Sequence, residues 1–311
     1  MTTWRGAEPP ELAPATPRGR LIGAARLAGF VAMTAVLFPL FLLGRLLRRL
    51  LGRRLGHRVT FHYRIARAWS RGTLFLFGLR HVVRGEPVRA GALVANHSSW
   101  LDIPALRAVK LIYFVAKSEV RAWPVVGYVT HACGTVYIER RRSHAKRQEE
   151  ALRQRIRSDQ LLCFFPEGTS TDGLRVLPFK SSLFSVFFQD QGQDQGQDQG
   201  QDQGQDQGAA DLLIQPVSIR YLPAEGLPAA FYGWWGDMAL GAHAWAVFLR
   251  SFGGRVEVTF HPPVRPRDFA DRKALAEHCQ KTVAQGLHTV LHTGLHTGLP
   301  TETASGRART G

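Results

Sequence analysis

The feature that most constrains this chain is an uncharged apolar run near its N-terminus, followed directly by arginines. From Leu27 to Leu43 the sequence reads LAGFVAMTAVLFPLFLL, close to the shortest helix that crosses the roughly 30 Å of bilayer hydrocarbon. Arginines follow it instead of a small-residue cleavage site, which favours a retained anchor over a removed signal peptide. This pattern predicts attachment to the inner membrane with the basic side in the cytoplasm. The arginines are Arg45, Arg48, Arg49, Arg53, Arg54 and Arg58.

The way in which this anchor meets the membrane has two interpretations. Pro39 interrupts the run, and Arg18, Arg20 and Arg26 lie on its other flank, so either a spanning helix or a re-entrant or interfacial helix pair fits. After Leu43, leucines and arginines recur at helical spacing, as in an amphipathic helix on an anionic lipid surface. A solvated charged helix packed on the domain is the alternative.

The overall charge indicates the class of partner. Lys and Arg number 40 against 24 Asp and Glu, a formal net charge of +16, which favours an anionic partner such as nucleic acid, phospholipid or a phosphorylated substrate. No basic-aromatic motif typical of nucleic-acid binding is present, so we expect an anionic phospholipid membrane and no nucleic acid. The three cysteines include no CxxC pair, which argues against a disulfide framework or a zinc knuckle.

Composition also predicts the domain organisation. Residues 1–20 are rich in Pro, Ala and Glu and are predicted to be disordered, residues 21–58 form the anchor, and 59–287 form one folded domain. Five tandem QDQG copies at 189–208 predict a flexible surface insertion, and 288–311 a disordered tail. The tail's LHTG repeat spaces histidines four apart, but a repeat produces that spacing automatically and its glycines weaken a helix, so we expect no metal.

Short apolar runs alternate with helical patterns from about residue 85 onward. This alternation predicts an α/β fold, a mixed sheet flanked by helices, with the membrane-facing helical element before it. A further helix is predicted from Asp268 to about Leu287. The predicted strands are Ala92–Ala95, Leu111–Ala116, Thr135–Ile138, Leu161–Phe165, Leu212–Ile219 and Val256–Phe260.

The stretch Asn96-His-Ser-Ser-Trp-Leu-Asp102 carries the strongest chemical signal. If His97 ends a strand and Asp102 begins the next helix, just before Pro104, the carboxylate can fold back onto the imidazole Nδ1 and leave Nε2 facing a pocket. Such an imidazole can take a proton from an attacking hydroxyl, while the carboxylate fixes its tautomer. There is no GxSxG elbow for a serine nucleophile. The alternative is that Asp102 only caps a helix and His97 is a polar loop residue.

Three further pieces follow in order. GTVYIER ends in Arg140, which can bind a phosphate bidentately or be a solvated member of the run RRRS. FPEGT, residues 165–169, ends another strand, where open α/β sheets usually build sites, or is an ordinary turn. The fourth piece, Ile214-Gln-Pro-Val217, has no reactive group.

In this order the four pieces resemble the glycerolipid acyltransferase family, which includes bacterial 1-acylglycerol-3-phosphate acyltransferases, over roughly residues 85–220. The resemblance implies a catalytic His97 and Asp102 and acceptor-binding residues Arg140, Glu167, Gly168, Thr169 and Lys180. It also implies transfer of a fatty acyl group from acyl-CoA or acyl carrier protein to a lysolipid, with no cofactor, and a two-helix membrane-facing element.

One position departs from the family pattern and leaves two acceptors as alternatives. Members that act on lysophosphatidic acid commonly have Arg directly after FPEGT, whereas this chain has Ser170, and Ser cannot replace a guanidinium clamp on phosphate. Arg175, Lys117 and Lys180 remain as anion contacts. We therefore expect lysophosphatidic acid as the acceptor, giving phosphatidic acid, with lyso-ornithine lipid as the alternative, because the variant is also similar to bacterial members that acylate it. A thioester hydrolase and a non-enzymatic membrane-binding protein are rival functions.

Overall fold

The computed structural model describes residues 3–55, 61–138, 152, 154–156, 160–188 and 212–288. Arg140, the QDQG segment at 189–208 and the chain after His288 lie outside these residues. What the sequence predicts for them therefore stays a prediction.

Within the described residues, one mixed sheet has seven strands and helices on both faces, which confirms the predicted fold class. Its strands are β1 (Leu79–Arg84), β2 (Gly91–Ala95), β3 (Tyr113–Lys117), β4 (Val136–Ile138), β5 (Leu161–Phe164), β6 (Ile214–Leu222) and β7 (Gly254–Phe260). The spatial order is β1-β7-β6-β2-β5-β3-β4. Strands β2 to β6 are parallel, whereas β7 is antiparallel to β6 and parallel to β1.

The sequence of the central strand β2 is apolar at every position, and its place in the sheet explains this. All of its residues are buried, and consecutive side chains point to opposite faces of the sheet. Leu93 and Ala95 join one hydrophobic core, and Ala92 and Val94 join the other. A strand covered on both faces needs apolar residues at every position instead of alternate ones.

The helices are α1 (Pro17–Leu55), α2 (Phe61–Leu76), α3 (Asp102–Arg107), α4 (Val126–Ala132), α5 (Leu240–Arg250) and α6 (Arg272–His288). The helix predicted from Asp268 is found as α6, after a single 3₁₀ turn. Helix α6 packs against β6 and contributes Leu275, Cys279 and Val283 to the core that contains Ala92 and Val94. Helices α3 and α5 contribute to the core on the opposite face.

Helix α1 occupies the region predicted as an anchor. It runs without a break through Pro39, and its part from Pro17 to Leu51 is long and apolar enough to cross a membrane. It packs on α2, where the Phe30 ring centroid lies 5.9 Å from that of Trp69. Its outer side exposes large apolar side chains along its length: Leu21, Leu27, Val31, Val36, Leu40, Leu43, Leu46, Leu47, Leu50 and Leu51.

The N-terminal segment differs from the predicted disorder, because residues 3–16 lie along the domain. The Trp235 indole N–H donates to the Ala7 carbonyl at 2.9 Å, and Arg250 donates twice to the Ala13 carbonyl. The Trp4 and Trp235 rings are in contact, with centroids 6.0 Å apart. Aromatic and guanidinium contacts with distant residues hold a segment whose own composition contains little apolar surface.

Candidate active site

The candidate site lies where two neighbouring parallel strands end. Strands β2 and β5 pair directly, so their carboxyl ends meet at one edge of the sheet. His97 follows β2 and Glu167 follows β5. The topology therefore brings together two loops that are far apart along the sequence.

His97 and Asp102 form a direct pair. Asp102 is the first residue of α3 and is fully buried, and its Oδ2 lies 2.7 Å from His97 Nδ1. The Asp102 side chain makes no capping bond to α3. It accepts instead from the backbone N–H groups of Ser98 at 2.9 Å and Ser99 at 3.0 Å, which precede the helix. The loop is thus wrapped around the carboxylate, and the capping alternative does not describe the geometry.

A fourth donor completes the surroundings of the carboxylate. The Tyr221 hydroxyl, from β6, donates to Asp102 Oδ1 at 2.8 Å. Since every contact is a donor, Asp102 acts only as an acceptor, and His97 Nδ1 carries the proton that it shares with Oδ2. In this tautomer Nε2 is unprotonated and can accept a proton.

A stacking contact also fixes the orientation of the imidazole ring. Its face stacks on the Phe165 ring with centroids 4.3 Å apart and an interplanar angle of 22°, and Phe165 is stacked in turn on Phe114. The His97 side chain is 22% exposed, and its Nε2 makes no hydrogen bond with any described residue. The ring is therefore fixed in orientation while one nitrogen is accessible to a ligand.

Glu167 ties the two loops together. Its Oε1 accepts from the His97 backbone N–H at 2.7 Å, and its Oε2 accepts from the Leu177 N–H at 2.8 Å. Burial raises the pKa of this carboxyl to about 7, although the two backbone donors act in the opposite direction. Because its contacts are to backbone and it is almost fully buried, its role in the geometry is to position His97.

The other predicted acceptor-binding residues surround the turn after β5. Gly168 has a φ of +68°, and a Cβ at this position would collide with the Lys180 ammonium group. Thr169 Oγ1 accepts from the Trp4 backbone N–H at 3.2 Å. The Lys180 backbone N–H donates to the Pro166 carbonyl at 3.0 Å. The structure thus brings Lys180 beside the turn that contains Gly168 and Thr169, next to the segment that holds the catalytic candidates.

The Arg175 guanidinium beside this turn is already paired. Buried Asp172 pairs with Arg175 at 2.9 Å, and the Arg175 guanidinium lies 5.3 Å from the centroid of the Trp4 ring. A guanidinium that is already paired and covered on one face has less capacity to bind a doubly charged phosphate.

Several residues that support the site were not identified from the sequence. The Asn96 side chain both donates to the Ile219 carbonyl at 2.9 Å and accepts from its N–H at 2.8 Å, which joins the end of β2 to β6. Tyr221 and Trp4 contribute from distant parts of the chain. Tyr221 is a hydroxyl-bearing aromatic on the largely buried strand β6, but no local pattern in the sequence pairs it with Asp102.

Within the same described ranges, no group of three or more His, Cys, Asp or Glu side chains is placed to hold a metal ion.

Comparison with known proteins gives four findings. The sequence model of the family described as Acyltransferase matches residues 80–220. The lyso-ornithine lipid O-acyltransferase of Rhodobacter capsulatus is 41% identical over 91% of this chain and 96% of that protein. The 1-acyl-sn-glycerol-3-phosphate acyltransferase of Neisseria gonorrhoeae is 44% identical, but over 30% of this chain and 38% of that protein. The solved 1-acyl-sn-glycerophosphate acyltransferase of Thermotoga maritima has the same fold, with a TM-score of 0.57 at 20% identity over 87% of this chain and 95% of that one.

Proposed function

The chain belongs to the acyltransferase family, and on that premise we propose that it transfers a fatty acyl group from an acyl thioester to the hydroxyl of lyso-ornithine lipid. The observation that carries the chemistry is the His97–Asp102 pair, in which Nδ1 is held at 2.7 Å and Nε2 remains accessible. The donor is the thioester of coenzyme A or of acyl carrier protein. The reaction needs no further cofactor, because the thioester is already activated.

The proposed reaction has two stages. The acceptor hydroxyl gives its proton to His97 Nε2 as its oxygen attacks the thioester carbonyl, and Asp102 stabilises the imidazolium that forms. The tetrahedral intermediate then breaks the carbon–sulfur bond, the acyl group stays on the acceptor oxygen as an ester, and the departing thiolate takes the proton from Nε2. Atoms and charge balance without an enzyme-bound acyl group.

Two observations support lyso-ornithine lipid over lysophosphatidic acid. The relative that matches this chain almost from end to end carries that substrate in its name, whereas the Neisseria relative matches less than a third of the chain. The turn after β5 also has Ser170 where a guanidinium would bind phosphate, and the Arg175 guanidinium beside it is already paired with Asp172. Ornithine has both a carboxylate and an ammonium group, so such a headgroup has less need of free guanidinium groups than a phosphate dianion has.

Lysophosphatidic acid is the second candidate acceptor. The local identity to the Neisseria protein favours it, and the Lys180 ammonium group lies beside the turn after β5. With this acceptor the product would be phosphatidic acid.

We propose that the site faces the cytoplasmic leaflet of the inner membrane, beside α1. The segment Trp123–Tyr128, a loop that continues into the first turn of α4, contacts both. The Tyr128 ring packs on Phe38 of α1. The Trp123 ring packs on Trp234, whose backbone N–H donates to the Ser98 carbonyl at 2.8 Å. In this loop Val125 has a φ of +61° and is 77% exposed. A β-branched residue in that conformation is strained by roughly 1–3 kcal/mol. Strain that presents an apolar side chain to the outside is consistent with insertion into lipid.

The acceptor is tested with labelled acyl-CoA or acyl carrier protein and purified protein, with lyso-ornithine lipid and lysophosphatidic acid side by side. We expect label in ornithine lipid, loss of activity in His97→Ala, and normal activity in His131→Ala, which removes an exposed histidine of α4. Label only in phosphatidic acid would reject the proposed acceptor. Free fatty acid as the sole product at every acceptor concentration would reject acyl transfer and support the hydrolase.

The proposed contact of this loop with lipid is tested by comparing the activity on vesicle-embedded acceptor with the activity on detergent-dispersed acceptor. Glycine tolerates the backbone of position 125, so Val125→Gly should stabilise the fold yet lower the vesicle-to-detergent activity ratio. Val125→Leu keeps an apolar side chain and should retain the ratio. An unchanged ratio in Val125→Gly and in Val125→Glu would show that the loop does not contact lipid.

A further inference from the structure

A second candidate binding site lies away from the catalytic pair. It is a cavity of about 440 Å³ between α2, β1 and the residues that follow α3, within the size range of small-ligand sites. None of the residues that line it belongs to the turns around His97 and Glu167. Six lining side chains carry the inference that follows: Arg67, Arg71, His81, Val83, Glu86 and Lys110.

Two arginines are held side by side at this cavity. Arg67 and Arg71, one turn apart on α2, both donate from Nε to the same oxygen, the Ala108 carbonyl, at 3.0 and 3.2 Å. This shared acceptor fixes two like charges close together, and their terminal nitrogens remain available. Neither arginine makes an ion pair with any described residue, and Arg71 contributes to lowering the pKa of Arg67, after burial.

A third cation and a histidine complete the lining. The Lys110 ammonium group donates to the Val88 carbonyl at 2.8 Å, and burial lowers its pKa. Glu86 is the one carboxylate among the lining residues, so positive charge is in excess. Buried His81 Nε2 has no hydrogen-bond partner within the described part of the chain.

We infer that this cavity binds a phosphate group. Guanidinium groups with free terminal N–H groups match phosphate oxygens, and the anion would offset the repulsion between the three cations. The phosphate can come from a lipid headgroup or from a soluble ligand. This inference does not depend on the acceptor proposed above.

The inference is tested first with inorganic phosphate on the purified full chain in neutral detergent. A ligand that binds only the folded state raises Tm, so phosphate should raise Tm more than sodium chloride of equal ionic strength. The pair Arg67→Gln with Arg71→Gln should bind phosphate roughly tenfold or more weakly. The control pair Arg64→Gln with Arg267→Gln removes the same charge from exposed positions outside the cavity and should keep the response.

A second variant avoids any loss of native hydrogen bonds. Val83 lines the cavity and is 40% exposed, so Val83→Glu places a carboxylate among the cations and should abolish the phosphate response in a folded protein. A phosphate effect no larger than that of chloride would overturn the inference. So would a full response in Val83→Glu or in the Arg67/Arg71 pair.

The source of the phosphate is then distinguished with vesicles of phosphatidylcholine, with or without one-fifth phosphatidylglycerol. A larger loss of phosphatidylglycerol-dependent binding in the Arg67/Arg71 pair than in the control pair would identify a lipid headgroup. Equal losses, together with the Tm response to phosphate, would identify a soluble phosphate ligand.

Discussion

Replacement of Asp102 by Asn is the sharpest test of the proposed catalytic pair, because the structure predicts how the amide would be oriented. Three donors surround Oδ2: the Ser98 and Ser99 N–H groups and His97 Nδ1. An NH₂ group there would face two N–H groups that cannot accept. The amide oxygen must therefore occupy the Oδ2 position, and the NH₂ group must face the Tyr221 hydroxyl, which can rotate and accept.

In this orientation the variant keeps the fold and the tautomer of His97, and it loses the charge together with the bond that the Tyr221 hydroxyl donates. An ion pair at 2.7 Å is worth roughly 6 kcal/mol at an effective dielectric constant of 20, and a hydrogen bond to a charged group about 1.5–3 kcal/mol. Between these limits, kcat should fall by roughly 10²–10⁴-fold. The free energy of unfolding should fall by no more than about 1–3 kcal/mol, because the three bonds to the Oδ2 position re-form and only the Tyr221 hydroxyl proton loses its acceptor.

The assay is kcat with saturating donor and acceptor, together with Tm, for Asp102→Asn, Tyr221→Phe and the double variant. Tyr221→Phe should cost more stability when combined with Asp102→Asn than by itself, because the combination leaves a buried amide without an acceptor. A large drop in Tm for Asp102→Asn alone would refute the predicted orientation. A kcat within threefold of the wild type would refute the role of the charge.

Three further outcomes are expected. Ser170→Arg should raise the ratio of lysophosphatidic acid to lyso-ornithine lipid acylation, by supplying a guanidinium beside the turn after β5; an unchanged ratio would mean that this position does not select the acceptor. Gly168→Ala should cost about 1–2 kcal/mol through its left-handed backbone and also lower activity by displacing Lys180, whereas Gly226→Ala, with a φ of +83° and open space around it, should cost stability alone; equal activities would contradict this. Because burial raises the pKa of Glu167 to about 7, its carboxylate form is disfavoured in the folded state, so up to roughly 3 kcal/mol of stability present at pH 4 is lost as the pH rises through 7. Urea unfolding at pH 5 and pH 8 should show this dependence reduced in Glu167→Gln, and an identical dependence would argue against it.

Local patterns were sufficient for much of the fold. The runs that became β2 and β5 are apolar at every position because both faces of the sheet are covered, and this identified the central strands. Strand β1 was not predicted, because its sequence LRHVVR mixes basic residues with apolar ones. It is an edge strand, and its half-exposed positions do not require an apolar pattern.

For the site, the sequence was sufficient to predict a contact between residues that are close along the chain. His97 and Asp102 are five apart, and a strand followed by a helix is enough to predict that they can meet. Glu167 was recognised with its motif, but its backbone contact to His97 joins residues 70 apart, and the contact between Tyr221 and Asp102 spans 119. The pairing of β2 with β5 and β6 creates both contacts.

The sequence by itself determined an apolar helix long enough to cross a membrane, an α/β domain and a histidine–carboxylate pair, because each depends on hydrophobic periodicity or on short spacing. Only the tertiary structure decided that Asp102 is surrounded by four donors, that Trp4 covers the turn after β5 and that three cations share one cavity. Those arrangements depend on which distant segments the sheet brings together, and no local pattern encodes that choice.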